Sequence, residues 1–287
     1  MPNKKRKTRK VCSTPKQCRI SLPYYMSNKD KVNANDLAKL LPDFETINEV
    51  NGRSSLRQKA LSKSSRKDCG RLLDVLDGCC NSEPCGSAAC PRCYREYRRW
   101  FYAEVCRLYE QYDEAHTLTI IYYDECLTSK ELYKFDSKAL KDRLRKQLER
   151  SGFEQPVIGC LEIDYHPEIK RWLLHFHVLV LGDPTPVKAL REYFKKHIEI
   201  EGRNTINKPV HLGVIKDKVE ALSYLCKSYC SRVEAYTDEL GRRQTRKIGL
   251  KDKELQLSLL VLDRMGYSGL LLLYGVRRHG SKLVVSE

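Results

Sequence analysis

The chain has 287 residues, with 53 Lys and Arg against 37 Asp and Glu, and a formal net charge of +16; its pI near 9.2 points to a polyanionic partner, nucleic acid before a membrane surface. Its longest apolar block, Leu270 to Tyr274, is strand-sized and far short of the roughly 18 residues a bilayer span needs, which excludes an inserted helix. The 13 cysteines are odd in number and unevenly scattered, which argues against a disulfide framework and for a metal site plus buried thiols in a reducing compartment.

Residues 1–74 read as a basic, partly irregular N-terminal extension with at most one short helix, marked by turn-like Asn51-Gly52-Arg53-Ser54-Ser55. Its basic run Lys4 to Lys10 lacks the hydrophobic segment of a secretory signal, so a cytoplasmic location is expected. Residues 75–112 form a second unit, a cysteine knuckle between Cys79 and Cys93 leading into a helix from Arg95 to Tyr112. The third unit, 113–287, opens with a β-branched and aromatic strand, His116 to Tyr123. Ser137 to Ser151 is a charged helix that keeps Leu140, Leu144 and Leu148 on one stripe. Val157 to Tyr165 and Trp172 to Leu181 read as a hairpin around His166-Pro167-Glu168-Ile169-Lys170. A helix over Pro186 to Ile198 and a strand over Pro209 to Ile215 complete a βαββαβ order, the ferredoxin-like split motif in an α+β fold. Helices over Lys218 to Ser231 and Leu255 to Asp263 and a strand over Leu270 to Tyr274 follow.

His175-Phe176-His177 lies inside a strand, so its two imidazoles point to one face. With the turn centred on Glu168 and Ile169, Glu162 falls opposite His175 and Cys160 opposite His177. Cross-strand neighbours stand about 5 Å apart at Cβ, close enough for one ion to take Glu162, His175 and His177. Two imidazoles and a carboxylate with open positions suit Mn²⁺ or Mg²⁺. A register slip of one residue would move Glu162 to the other face. His166 and Asp164 are back-up ligands.

Glu220, Tyr224 and Lys227 recur at i, i+4 and i+7, one face of the expected helix. A phenol with an ordinary pKa of about 10 needs a nearby cation to act as a nucleophile, and Lys227 supplies one. Glu220, one turn away, is placed to act as general base on a second attacking group. Tyr229 is a rival, but at 100° per residue it lies roughly 140° around the helix from Tyr224. In the knuckle, Cys90-Pro91-Arg92-Cys93 has zinc-ligand spacing, and Cys85 with Cys80, or with the adjacent Cys79, completes four thiolates. The following Tyr94 to Trp100 segment mixes cations suited to phosphates with rings suited to bases or to the core.

Taken in order, these motifs resemble the HUH endonuclease superfamily, specifically the rolling-circle plasmid replication initiators with a cysteine-rich N-terminal segment. The likeness covers about residues 78–231: Cys85-Gly-Ser-x-x-Cys90-Pro-x-Cys93, His116-Thr-Leu-Thr-Ile120, Leu161-Glu162 with His175-Phe-His177, and Glu220-x-x-x-Tyr224-x-x-Lys227. Leu173-Leu174 stands where members often carry an extra His-Pro. The resemblance implies attack of Tyr224 on a DNA phosphate, giving a 5′-phosphotyrosine and a free 3′-hydroxyl, with Glu220 activating water for termination. It implies single-stranded origin DNA and host helicase and polymerase as partners, a divalent metal at the histidines and structural zinc at the cysteines. A transposase or relaxase on the same core, or a zinc-stabilised nucleic-acid-binding regulator without catalysis, are the competing readings.

Overall fold

The computed structural model describes residues 44–80, 83–197, 208–227 and 230–286. The Lys4 to Lys10 run and the rival Tyr229 lie outside the described residues. The chain is a mixed α+β protein built on a mostly antiparallel seven-stranded sheet.

Two helices precede the knuckle, α1 (Ile47–Ser62) and α2 (Lys67–Asp77). The sequence reading allowed one short helix there and took Asn51 to Ser55 for a turn, yet that stretch lies within α1. The start is set by a capping box: the Thr46 hydroxyl accepts from the Glu49 amide at 3.2 Å, and the Glu49 carboxylate accepts from the Thr46 amide at 2.7 Å. Burial of Val50, Ala60 and Leu61 then outweighs the weak helix propensity of Gly52 and the serines. Helix α3 (Pro91–Tyr109) starts with proline at its first turn, where a missing amide costs nothing.

Next come β1 (Ala115–Leu127), α4 (Ser129–Lys134), α5 (Ser137–Arg150), β2 (Val157–His166), β3 (Arg171–Leu181), α6 (Val187–His197) and β4 (Val210–Val214). Their strands lie in the order β4-β1-β3-β2. Beyond them run α7 (Lys218–Tyr224), β5 (Arg232–Thr237), β6 (Arg243–Ile248), α8 (Asp252–Leu270), β7 (Leu271–Tyr274), β8 (Val276–His279) and β9 (Lys282–Val285). Strand β7 pairs with the first half of β2, from Val157 to Cys160, while β5 joins its far end in parallel at Tyr165 and Arg232. The β5-β6 hairpin and the small β8-β9 hairpin were not anticipated. Helix α8 exceeds its expected bounds and is interrupted at Gly266, whose φ of 60° and ψ of −174° suit glycine alone.

Alternation along the strands divides the interior between the two sheet faces. Leu174, Phe176, Val178 and Val180 meet Leu140, Leu144 and Leu148 of α5 and Leu190 and Phe194 of α6 on one face. Ile158, Cys160, Leu179 and Leu181 meet Tyr94, Tyr97 and Phe101 of α3 and Leu222 of α7 on the other. That second core also takes in Phe44, Leu61, Leu72, Leu259 and Leu283, so the boundaries drawn from composition at 74 and 112 run through one continuous hydrophobic cluster. Among the described residues, no helix is long and apolar enough to cross a membrane.

Candidate functional site

The β2-β3 hairpin has the register its turn dictates: Glu162 lies opposite His175, and Cys160 opposite His177. All four side chains therefore share the face that meets α3 and α7. His175 Nε2 stands 3.3 Å and His177 Nε2 3.6 Å from Glu162 Oε2. The ring of His177 is oriented from behind, because its Nδ1 shares a hydrogen bond with the Thr119 hydroxyl at 3.0 Å. Thr119 faces His177 directly across the β1-β3 pairing. Such a contact leaves Nε2 turned toward the carboxylate, the arrangement a metal ligand needs.

Burial alone would raise the Glu162 carboxyl, but hydrogen bonding with His175 and the charges of His177, His175 and Lys247 outweigh it and hold the group down to about 2. Burial pushes His177 down to about 4 against the opposite pull of Glu162, so its imidazole is neutral at pH 7. Glu162 Oε1 is buried without a hydrogen-bond partner. An anionic carboxylate with an unsatisfied oxygen and two imidazoles, all with ligand atoms within 4.8 Å of one another, are the donors a hard or borderline divalent cation takes.

Two further groups border this triad. Asp164, a substitute ligand in the sequence reading, is buried, with Oδ2 3.8 Å from His175 Nε2. Lys247, which sequence reasoning missed, reaches in from β6 to 2.8 Å from Asp164 and 3.6 Å from Glu162. These carboxylates raise its pKa against the opposing effect of burial. The turn residues Asp238 and Gly241, between β-favouring segments, were the available signal for that hairpin.

Tyr224 ends α7 with its ring centroid 5.1 Å from that of His177, edge to face. The helix stops there rather than running to Ser231. The Ser223 carbonyl, which a continuing helix would bond to the amide of residue 227, is taken by the Arg98 guanidinium at 3.2 Å. Lys227 thus lies beyond the helix, yet its ammonium sits 3.5 Å from the centre of the Tyr224 ring. Glu220 is exposed and lines, with Tyr224, His177, Thr119 and Lys216, a cavity of about 390 Å³ beside the triad. Tyrosine, histidine and acid therefore share one opening, as the expected helical face required.

The second cluster is Cys79, Cys85, Cys90 and Cys93. This corrects the assignment of Cys80, which is exposed. The Cys79 amide still bonds the Leu76 carbonyl at 3.2 Å, carrying the turn of α2 onward and setting its side chain inward, and the next residue then faces away. Cys79 Sγ lies 3.5 Å from both Cys93 Sγ and Cys90 Sγ, and Cys85 Sγ 3.7 Å from Cys93 Sγ. Four sulfurs at ~2.3 Å from a zinc ion stand about 3.8 Å apart, so the cluster fits a tetrahedral metal. Backbone amides of Cys85 and Gly86 point at Cys79 Sγ and Cys93 Sγ, as thiolates require. Thiols this close cannot ionise equally: hydrogen bonds from Cys85, Cys90 and Cys93 push Cys79 down, while contacts with Cys79, Cys85 and Cys90 push Cys93 up.

Comparison with protein-family models, with curated proteins and with solved structures yields no match to this chain.

Proposed function

We propose that this chain is a metal-dependent enzyme that nicks and rejoins one DNA strand through Tyr224, acting as a rolling-circle replication initiator of the HUH endonuclease type. The observation that carries the reading is the meeting of a tyrosine ring with His177 of a His-His-Glu triad at 5.1 Å. The net charge of +16 favours a polyanionic substrate. The β4-β1-β3-β2 order of a βαββαβ chain is consistent with the ferredoxin-like sheet on which such sites are built.

In this reading Glu162, His175 and His177 hold Mn²⁺ or Mg²⁺, which would polarise the scissile phosphate. The Tyr224 oxygen attacks phosphorus, the bond to the 3′ oxygen breaks, and a 5′-phosphotyrosine and a free 3′-hydroxyl result. Lys227, against the Tyr224 ring, favours the phenolate form. Glu220, across the cavity, activates the water or hydroxyl that later releases the strand. Zinc in the four thiolates is structural. Origin DNA, a host helicase and a host polymerase are the partners. A transposase or relaxase would share this chemistry and differ only in the DNA it recognises. A non-catalytic RNA reader would present exposed aromatics on the sheet face, where this chain presents two histidines and a glutamate.

The test is incubation with a random-sequence single-stranded DNA pool and Mn²⁺, followed by denaturing electrophoresis. A covalent protein–DNA adduct is expected from the wild type and from none of the Tyr224→Phe protein. An adduct that persists in Tyr224→Phe rejects the nucleophile, and binding without any adduct favours the regulator. Glu220→Ala is expected to form adduct normally and release it slowly; equal loss of both steps would remove Glu220 from the release role.

A further inference from the structure

The helix that leaves the cysteine cluster grips the backbone on both sides of Tyr224. Cys90 is the N-cap of α3, and Tyr94 and Arg98 follow at four-residue intervals, so the three share one face. The Tyr94 hydroxyl donates to the Lys227 carbonyl at 3.3 Å and lies 3.6 Å from Cys226 Sγ. Arg98 donates to the Ser223 carbonyl at 3.2 Å. Both side chains are buried, and the residues they hold bracket Tyr224. Arg98 is fixed in turn by Glu45 at 2.6 Å, with its guanidinium 4.7 Å from the centre of the Phe44 ring.

We infer that Tyr94 and Arg98 are positioning residues that set Tyr224 against His177, and that occupancy of the Cys79-Cys85-Cys90-Cys93 site governs strand nicking through them. The inference rests on the reading of Tyr224 as nucleophile. Two of the four thiols, Cys90 and Cys93, belong to the cap and first turn of α3, so a bound metal fixes where that rod begins. At ~1.5 Å per residue, Arg98 lies only about 7.5 Å along the axis from Cys93, too short a distance for the helix to absorb a shift by bending. A displacement of about 1 Å at a reacting group lowers rate by as much as ~100-fold. The same contacts, were they packing alone, would affect stability and leave rate untouched.

The deciding variant is Tyr94→Phe, which keeps the ring and removes only the hydroxyl, studied as the full chain with its thiolate metal in place. Adduct formation on the single-stranded pool is expected to lose roughly 10-fold in kcat with KM for DNA unchanged. Hydrogen exchange of amides 222–227 is expected to quicken in Tyr94→Phe, and in wild type stripped of the thiolate metal, while β3 amides stay protected. A wild type that forms adduct, with Tyr94→Phe unchanged in both kcat and exchange, overturns the inference and leaves the nicking activity standing. A wild type that forms no adduct, with amides 222–227 still responding to metal removal and to Tyr94→Phe, rejects the nucleophile while upholding the coupling between the thiolate site and the tyrosine helix. Exchange at 222–227 that ignores both changes overturns the coupling whatever the activity.

Discussion

At the scale of single residues, the site is a balance between burial and charge. His177 is held down to about 4 mainly because burial disfavours its charged form. The unfolded chain, with an ordinary histidine near 6.5, therefore binds a proton that the folded chain refuses, and stability falls as pH drops through that window. The contribution is complete above pH 6.5 and gone below about 4, and amounts to about 3 kcal/mol from a shift of roughly 2.5 pH units. We expect wild type to lose about that much stability relative to His177→Gln between those pH values, in urea unfolding without added divalent metal. A difference between the two proteins that stays constant with pH would remove burial as the cause. Glu162 acts in the same direction at lower pH, since its depressed value means stability is lost as pH falls toward 2. Of these residues, Glu162, His175, His177 and Tyr224 were legible in the sequence because each belongs to a short periodic segment. Thr119 was not legible as a partner, because its bond to His177 joins positions 58 apart.

Among the elements, the β2-β3 hairpin carries the most consequence, since its turn alone brings Glu162 to His175. Gly159 secures that pairing at close quarters. A Cβ placed there would meet the His177 carbonyl oxygen at 2.0 Å and Val178 Cα at 2.5 Å, backbone atoms that cannot rotate away. Gly159→Ala is accordingly expected to cost about 1–3 kcal/mol and to weaken Mn²⁺ binding as β3 shifts. The urea midpoint and a metal titration check both effects, and full stability with full Mn²⁺ affinity would show that the strands separate freely. Sequence periodicity located this hairpin and the leucine stripe of α5 because both patterns repeat within a few residues. It misjudged α7, whose end is set by Arg98, a residue 125 positions away from the Ser223 carbonyl it binds. It also took Asn51 to Ser55, inside α1, for a turn, because the capping box at Thr46 and Glu49 marks only a start and burial against distant elements supplied the stability.

On the scale of the whole molecule, the cluster of Cys79, Cys85, Cys90 and Cys93 lies where α2, α3 and the second core meet, so a metal held there would tie the N-terminal helices to the sheet. Cys79→Ser is expected to lose zinc binding and to lower Tm by about 5 °C or more, the equivalent of roughly 3 kcal/mol or more for a chain of this size. Cys80→Ser is expected to keep about one zinc per chain and the wild-type Tm. Metal content and thermal unfolding of the two variants check this, and the reverse pattern would exchange the two residues in the site.

The amino-acid order by itself determined the strand and helix periods, the register that sets Glu162 against His175, and the pairing of Glu220 with Tyr224 on one face. Turn length and the 2.0 and 3.6 residue periods govern all of these, and both act within a few positions. Tertiary structure alone decided which of Cys79 and Cys80 faces the cluster, where the tyrosine helix ends, and that Lys247 reaches the carboxylates of β2. Each of those outcomes depends on which elements pack together, a competition among burials and hydrogen bonds that no local pattern encodes.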